Sequence, residues 1–170
     1  MRVHQKNHGE PEPQAPWDEV VPGLWIGGHH WADASGERHP AVAGGEFDLV
    51  VSLFSRPGHG PDPAVRHLIT EIPDDPLDAG QLRAVRRLAR IVARTVRAGR
   101  VTLVRCNAGY NRSGLVVAQA LVELGGEAPA AIDAVRRGRG PWALNNRIFE
   151  EYLTAGLDVA CLLAGLEAPD

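Results

Sequence analysis

Two residues of this chain have the types and the spacing to do chemistry on an anion. Cys106 and Arg112 are separated by five residues in the run Cys-Asn-Ala-Gly-Tyr-Asn-Arg-Ser. A thiolate is a strong nucleophile, and a nearby cation or helix N-terminus lowers a thiol's pKa well below its free value of ~8.5. A guanidinium is a planar fork of donors that matches two phosphate oxygens. The residues between them, Asn107, Ala108, Gly109, Tyr110 and Asn111, offer backbone N–H groups to the remaining oxygens. Gly109 gives that stretch one position free of Cβ sterics. The Ser113 hydroxyl can donate to the sulfur and help it leave. Together these groups could move a phosphoryl group onto sulfur and then hydrolyse the phosphocysteine. Neither step calls for a metal or a cofactor.

Such chemistry needs a rigid frame. Val101–Val104 is a short run of β-branched and apolar residues, which predicts a buried strand. Ser113–Leu124 is amphipathic and predicts a helix. A strand that enters a helix through a tight loop leaves backbone N–H groups unpaired at the helix N-terminus. With the helix dipole they form an anion site.

A proton donor for the leaving group is available upstream, in Pro73-Asp74-Asp75-Pro76-Leu77-Asp78. Asp78 and Gln81 make a capping box, and a helix runs from there to about Ala98, stopping at Gly99. Twenty helical residues travel ~30 Å one way. Six strand residues return ~20 Å the other way. The loop before the helix and the loop after the strand therefore share one end of the sheet. Ligands of open α/β sheets bind at that carboxyl edge. Either aspartate could act as general acid there.

The loop resembles the Cys-X5-Arg-Ser/Thr signature of the protein tyrosine phosphatases, in their dual-specificity branch. Val20-Val21-Pro22-Gly23-Leu24-Trp25-Ile26-Gly27 resembles that branch's opening strand, Pro73-Asp74-Asp75-Pro76 its general-acid loop, and Arg136–Leu153 its C-terminal pattern. The likeness spans roughly residues 17–157. It implies Cys106 as nucleophile, Arg112 as phosphate clamp, Asp74 as acid and Ser113 as the aid to thiolate departure. Asn146 would brace the phosphate loop. It implies a phosphorylated protein or a small phosphate ester as substrate, with phosphate or sulfate bound in the loop. No segment resembles the tyrosine-recognition loop of the strict tyrosine phosphatases, so a shallow pocket open to aryl and alkyl phosphates is implied.

One departure stands out. The branch usually has His directly before the nucleophile, and this chain has Arg105. Adjacent strand residues point to opposite faces, so Arg105 is expected to point away from the phosphate and to pair with a carboxylate behind the loop. Four alternatives share parts of the pattern. The RNA 5′-phosphatase branch often has Asn before the catalytic Arg, as Asn111 is here, and phosphoinositide phosphatases share the fold. A catalytically weak phosphate-binding module would fit Arg105 as a sign of decay. Rhodanese-like sulfur transferases also pair a Cys loop with Arg, but Ser113 and the aspartate pair favour a phosphatase.

The rest of the chain suits one α/β domain: a central, mainly parallel sheet of about five strands flanked by helices on both faces. Its 170 residues suffice for a proper core. A net charge of −3 argues against nucleic-acid or anionic-membrane partners. Six arginines on the helix after Asp78 read as a solvated face. No apolar run approaches the ~20 residues of a membrane span, and no signal-peptide pattern opens the chain. With two distant cysteines and a working thiol, the cytoplasm is expected. Residues 1–16, polar and containing Pro11, Pro13 and Pro16, read as a flexible tail before a domain over 17–170; His4 and His8 lie in it.

Trp17–Gly28 predicts two strands around Pro22-Gly23, and His29-His30 reads as a surface loop or as the rim of the site, with no Cys or carboxylate at metal-ligand spacing. Ala32–Gly45 has room for one short helix. Phe47–Phe54 and Val65–Ile72 predict strands, with Arg56 and His59 in the loop between. Pro129 opens a helix to about Arg137, and a single long helix is expected over 146–163, capped by Asn145 or Asn146. Cys161 reads as structural.

Overall fold

The computed structural model describes residues 9–167; His4 and His8 fall outside them. Five strands form the main sheet: β1 (Trp17–Val21), β2 (Leu24–Gly27), β5 (Leu49–Ser52), β6 (Arg66–Ile69) and β7 (Thr102–Arg105), ordered β1-β2-β7-β5-β6. β1 and β2 are antiparallel across the Pro22-Gly23 turn, and the pairs β2–β7, β7–β5 and β5–β6 are parallel. The C-terminal ends of the four parallel strands therefore lie along one edge. They deliver His29, Phe54, the Asp74 loop and Cys106 to the same side.

Five helices follow: α1 (Ala79–Arg97), α2 (Arg112–Glu123), α3 (Ala128–Arg139), α4 (Arg147–Ala155) and α5 (Leu157–Glu167). α1 starts on the expected capping box, with the Asp78 carboxylate accepting from Gln81 N and the Gln81 side chain accepting from Asp78 N. Its buried face is Leu82, Val85, Leu88, Ala89, Val92 and Ala93.

The helices gather on one face of the sheet rather than both. Strand residues Leu24, Ile26, Leu49, Val51 and Val104 join one core with residues from every helix. The alternate residues Val50 and Leu103 face a smaller cluster of Ala43 and Phe47, flanked by Trp17 and Trp25 and built without any helix. The indoles of Trp17 and Trp25 pack edge-on against Phe47 on that face.

Two further expectations are corrected. Residues 146–163 form two helices, because Gly156 takes φ +95° and turns the chain between α4 and α5. The inner stripe survives the break: Phe149, Leu153, Leu157 and Ala160 are all buried. In place of a helix within 32–45, β3 (His30–Ala32) and β4 (Arg38–Pro40) form a hairpin. Asp33 Oδ1 ties its turn by accepting from Ser35 N and Glu37 N, a local bonding pattern that competes with helix.

Residues 10–16, part of the stretch that composition assigns to a tail, run along the body. The Pro13 carbonyl accepts from Ala32 N (2.8 Å), that of Pro16 from Gly28 N (3.2 Å) and that of Ala15 from Arg139 Nη1 (2.8 Å).

Candidate active site

Cys106 follows β7 directly and is 2% exposed, with its N–H donated to the Gly27 carbonyl. Its Sγ lies 3.2 Å from Ser113 Oγ, so the hydroxyl can donate to a thiolate from the first turn of α2.

The loop from Cys106 to Asn111 is turned inside out by its surroundings. The Cys106 carbonyl accepts from His29 Nδ1 at 2.6 Å and the Asn107 carbonyl from His29 N at 2.7 Å. The Ala108 and Gly109 carbonyls accept from the Arg139 guanidinium at 2.8 and 3.3 Å. The Tyr110 carbonyl takes Leu144 N at 3.0 Å, and the Asn111 carbonyl takes Leu115 N at 2.8 Å. Five consecutive carbonyls, those of residues 106–110, are thus held from outside, and the Asn111 carbonyl is held by the first turn of α2. In a planar trans peptide the N–H points opposite to the C=O. The N–H groups that follow these carbonyls are therefore turned to the inside, in a nest of donors suited to an anion.

Tight packing makes this arrangement specific to the residues present. Gly109 has φ +84°, and a Cβ there would stand 2.6 Å from the Gly27 backbone. A Cβ on Gly28 would stand 2.4 Å from the Asn107 carbonyl oxygen.

Arg112 opens α2 and is buried. Its Nη1 donates weakly to the Ile72 carbonyl (3.4 Å), and its guanidinium carbon lies 5.4 Å from the Phe54 ring centroid. Its Nε is buried and has no partner among the described residues. A buried guanidinium donor without an acceptor is costly, and an anion in the nest would relieve it.

The two aspartates separate. Asp74 is half-buried, and its oxygens accept from Asn146 Nδ2 (2.7 Å) and Asn111 Nδ2 (3.0 Å). Asp75 is exposed. Asp74, Asn107 and Ala108 border one cavity of about 280 Å³, with Arg56 and Glu10 across it. The side chain of Asn111 thus holds Asp74, and only its backbone belongs to the nest. Asn146 also caps α4, its Oδ1 accepting from Ile148 N and Phe149 N, while its own N–H reaches Asn111 Oδ1 (3.0 Å). Asn145 donates to Glu10 (2.8 Å) and to the Trp142 carbonyl (2.7 Å). Tyr110 turns away from the nest. Its hydroxyl donates to the Pro11 carbonyl (2.9 Å), and burial raises its pKa.

Arg105 points away from the phosphate side but pairs with no carboxylate among the described residues. It is 1% exposed and donates to Ser52 Oγ (3.0 Å) and to the carbonyls of His59 (2.7 Å) and Gly60 (2.6 Å). Burial lowers its pKa to about 10, so it stays charged. The 55–63 loop brings its carbonyls in as neutral acceptors, which sequence spacing could not show.

His29 and His30 are buried, not on a surface loop. His30 pairs with Glu12 at 2.8 Å. Sequence reasoning also missed Arg139, which braces two loop carbonyls and pairs with Asp18 at 2.9 Å. Its only signal was a lone arginine between two glycines. Among the described residues Asp33, Glu37 and His39 converge near the hairpin turn, remote in sequence from the loop.

No family model matches the sequence, and no curated protein matches it. Solved structures do. Human DUSP28 is 25% identical, with a TM-score of 0.66, over 93% of this chain and 100% of its own. A mouse dual specificity phosphatase, solved with zinc tungstate, is 24% identical at TM-score 0.60, over 94% and 98%. OH1 from the Orf virus, described as a tyrosine phosphatase with triple substrate specificity, is 18% identical at TM-score 0.57, over 84% and 86%. In fold, as in its Cys-X5-Arg-Ser segment, the chain resembles the dual-specificity branch of the cysteine-based protein tyrosine phosphatases.

Proposed function

We propose that the chain hydrolyses phosphate monoesters through a phosphocysteine on Cys106. The observation that carries this reading is the nest itself: five carbonyls pinned outward around a buried thiol, beside an arginine whose Nε has no acceptor among the described residues. That arrangement suits a tetrahedral dianion held against sulfur.

The thiolate of Cys106 attacks phosphorus while the bond from phosphorus to the ester oxygen breaks. Asp74 gives its proton to that oxygen, so the product leaves as a neutral alcohol or phenol. Arg112 and the loop N–H groups take the charge that develops on the equatorial oxygens. Water then attacks the phosphocysteine, Asp74 takes the water's proton, and the sulfur leaves as a thiolate. The Ser113 hydroxyl, 3.2 Å away, donates to it.

The substrate class is a phosphorylated protein or small phosphate ester, and free phosphate or sulfate should compete in the loop. A thiolate of this kind works in a reducing compartment, which supports a cytoplasmic site. No helix among the described residues is long and apolar enough to cross a membrane. Hydrolysis of an aryl phosphate by wild type and by Cys106→Ser tests the reading. Wild type should turn over and release one phosphate per phenol, and the variant should not. Equal rates from the two proteins overturn it.

A further inference from the structure

His29 is a fully buried imidazole at the end of β2, 77 positions before the nucleophile. Its Nδ1 lies 2.6 Å from the Cys106 carbonyl oxygen, and its backbone N–H holds the Asn107 carbonyl. A carbonyl oxygen can only accept, so Nδ1 carries the proton. Burial lowers the pKa of His29 to about 4, and Arg105, His59 and Arg56 around it act in the same direction. The ring is therefore neutral near pH 7, and Nε2 has only a lone pair. That Nε2 is buried without a partner among the described residues. An orphaned buried acceptor is destabilising. An apolar side chain would fill the same space against Phe54 and His59 without that cost. What histidine offers here is its Nδ1–H.

We propose that His29 is a positioning residue of the phosphate loop: its Nδ1–H fixes the Cys106–Asn107 peptide and strengthens the N–H that this peptide turns inward. The inference rests on the proposed role of Cys106. With its C=O bonded to His29, the peptide cannot rotate without breaking a short buried bond. Polarising a carbonyl also makes the N–H across the same amide a better donor, as in hydrogen-bonded chains. That N–H belongs to the residue after the nucleophile, and it serves both the thiolate and the phosphoryl oxygens. The carbonyls of Ala108 and Gly109 rest on Arg139, whereas the Cys106 carbonyl rests on His29 Nδ1.

The test uses His29→Phe, which keeps a ring and removes the donor, and His29→Asn, whose Nδ2 stands where Nδ1 stood. The rate of Cys106 alkylation by iodoacetate is followed against pH, and inorganic phosphate is titrated as the competing ligand. In His29→Phe alkylation of Cys106 at neutral pH should slow about tenfold, and phosphate should bind about tenfold more weakly. His29→Asn should recover most of both. Selective ¹⁵N labelling of histidine in the wild-type chain should show the Nδ1–H tautomer at His29, and it needs no variant to fold. Unchanged alkylation profiles in both variants, equal defects in Phe and Asn, or the Nε2–H tautomer each overturn the proposal. Alkylation and phosphate binding are read without turnover, so this outcome is separable from loss of the phosphatase reading itself.

Discussion

Asp74→Asn is the substitution for which the structure gives two separate magnitudes. The chemical one is loss of the general acid, ~10²-fold or more in turnover, or about 2.7 kcal/mol of barrier. The structural one comes from the partners. Both Asp74 oxygens accept amide N–H groups, from Asn146 at 2.7 Å and Asn111 at 3.0 Å. Neither amide is free to flip. Asn146 Oδ1 caps α4, and Asn111 Oδ1 accepts from Asn146 N. An Asn at 74 therefore sets its own N–H₂ against a donor and loses one bond. That costs about 1–3 kcal/mol, or roughly 2–4 °C of Tm per kcal/mol for a domain of this size. Asp75→Asn, at an exposed position, should change turnover only a few-fold and leave Tm alone. The assay compares an alkyl phosphate with an aryl ester bearing a good leaving group, across pH. Asp74→Asn should fail on the alkyl ester, approach wild type on the aryl ester, and lose the basic limb of the pH–rate profile. If Asp75→Asn is the crippled variant, the acid is assigned to the wrong aspartate. Near-normal turnover of the alkyl ester by both variants would refute the whole argument for this loop, with Asp78 next to be tried.

Further outcomes follow from the same geometry. Cys106→Ser should abolish turnover with little change in stability, since the exchange is nearly isosteric; a tenth of wild-type turnover remaining would sink the covalent mechanism. Arg105→His should keep activity within about tenfold, because Arg105 lies behind the loop. It should cost about 2–4 kcal/mol in urea unfolding, since the His59 and Gly60 carbonyls lose their donor; unchanged stability would show those bonds to be idle. The pH dependence of stability carries a signature of His29. Its folded pKa is lowered from 6.5 to about 4, so the unfolded chain binds a proton in that window that the folded chain refuses. Stability should therefore fall as pH drops from about 6.5 towards 4, by about 3 kcal/mol in total. Urea titrations at pH 7 and 4.5 should show a loss about 2–3 kcal/mol larger in wild type than in His29→Asn; equal losses would place His29 in a solvated site.

The parts of the site that were legible in the sequence are those fixed by local spacing. Cys106, Arg112 and Ser113 sit on one strand–loop–helix, and Asp78 with Gln81 caps α1 through a bond spanning three residues. The five strands and their parallel pairing followed from short apolar runs alternating with helical stretches. What stayed hidden is long-range. His29 meets Cys106 across 77 positions, Glu10 meets Asn145 across 135, and Arg139 meets Ala108 across 31. Nothing in the composition of His29-His30 distinguishes a surface pair from two buried rings. For Arg105 the direction was legible from strand alternation, but its partners were not. A loop carbonyl satisfies a guanidinium without any charged residue to betray it in the sequence.

The outward-pinned carbonyls also bear on whether this loop can be transplanted. Its shape is imposed by supports on separate elements: the end of β2, the end of α3 and the Leu144 amide before α4. Grafting Cys106–Ser113 between the strand and helix of another α/β protein would carry over Cys106 and Arg112 but none of these three supports. The freed carbonyls would compete for the space meant for the anion. A working transplant would have to bring Gly27–His29, Arg139 and Leu144 as a unit, so the portable module is a cluster in space with no counterpart as one stretch of chain.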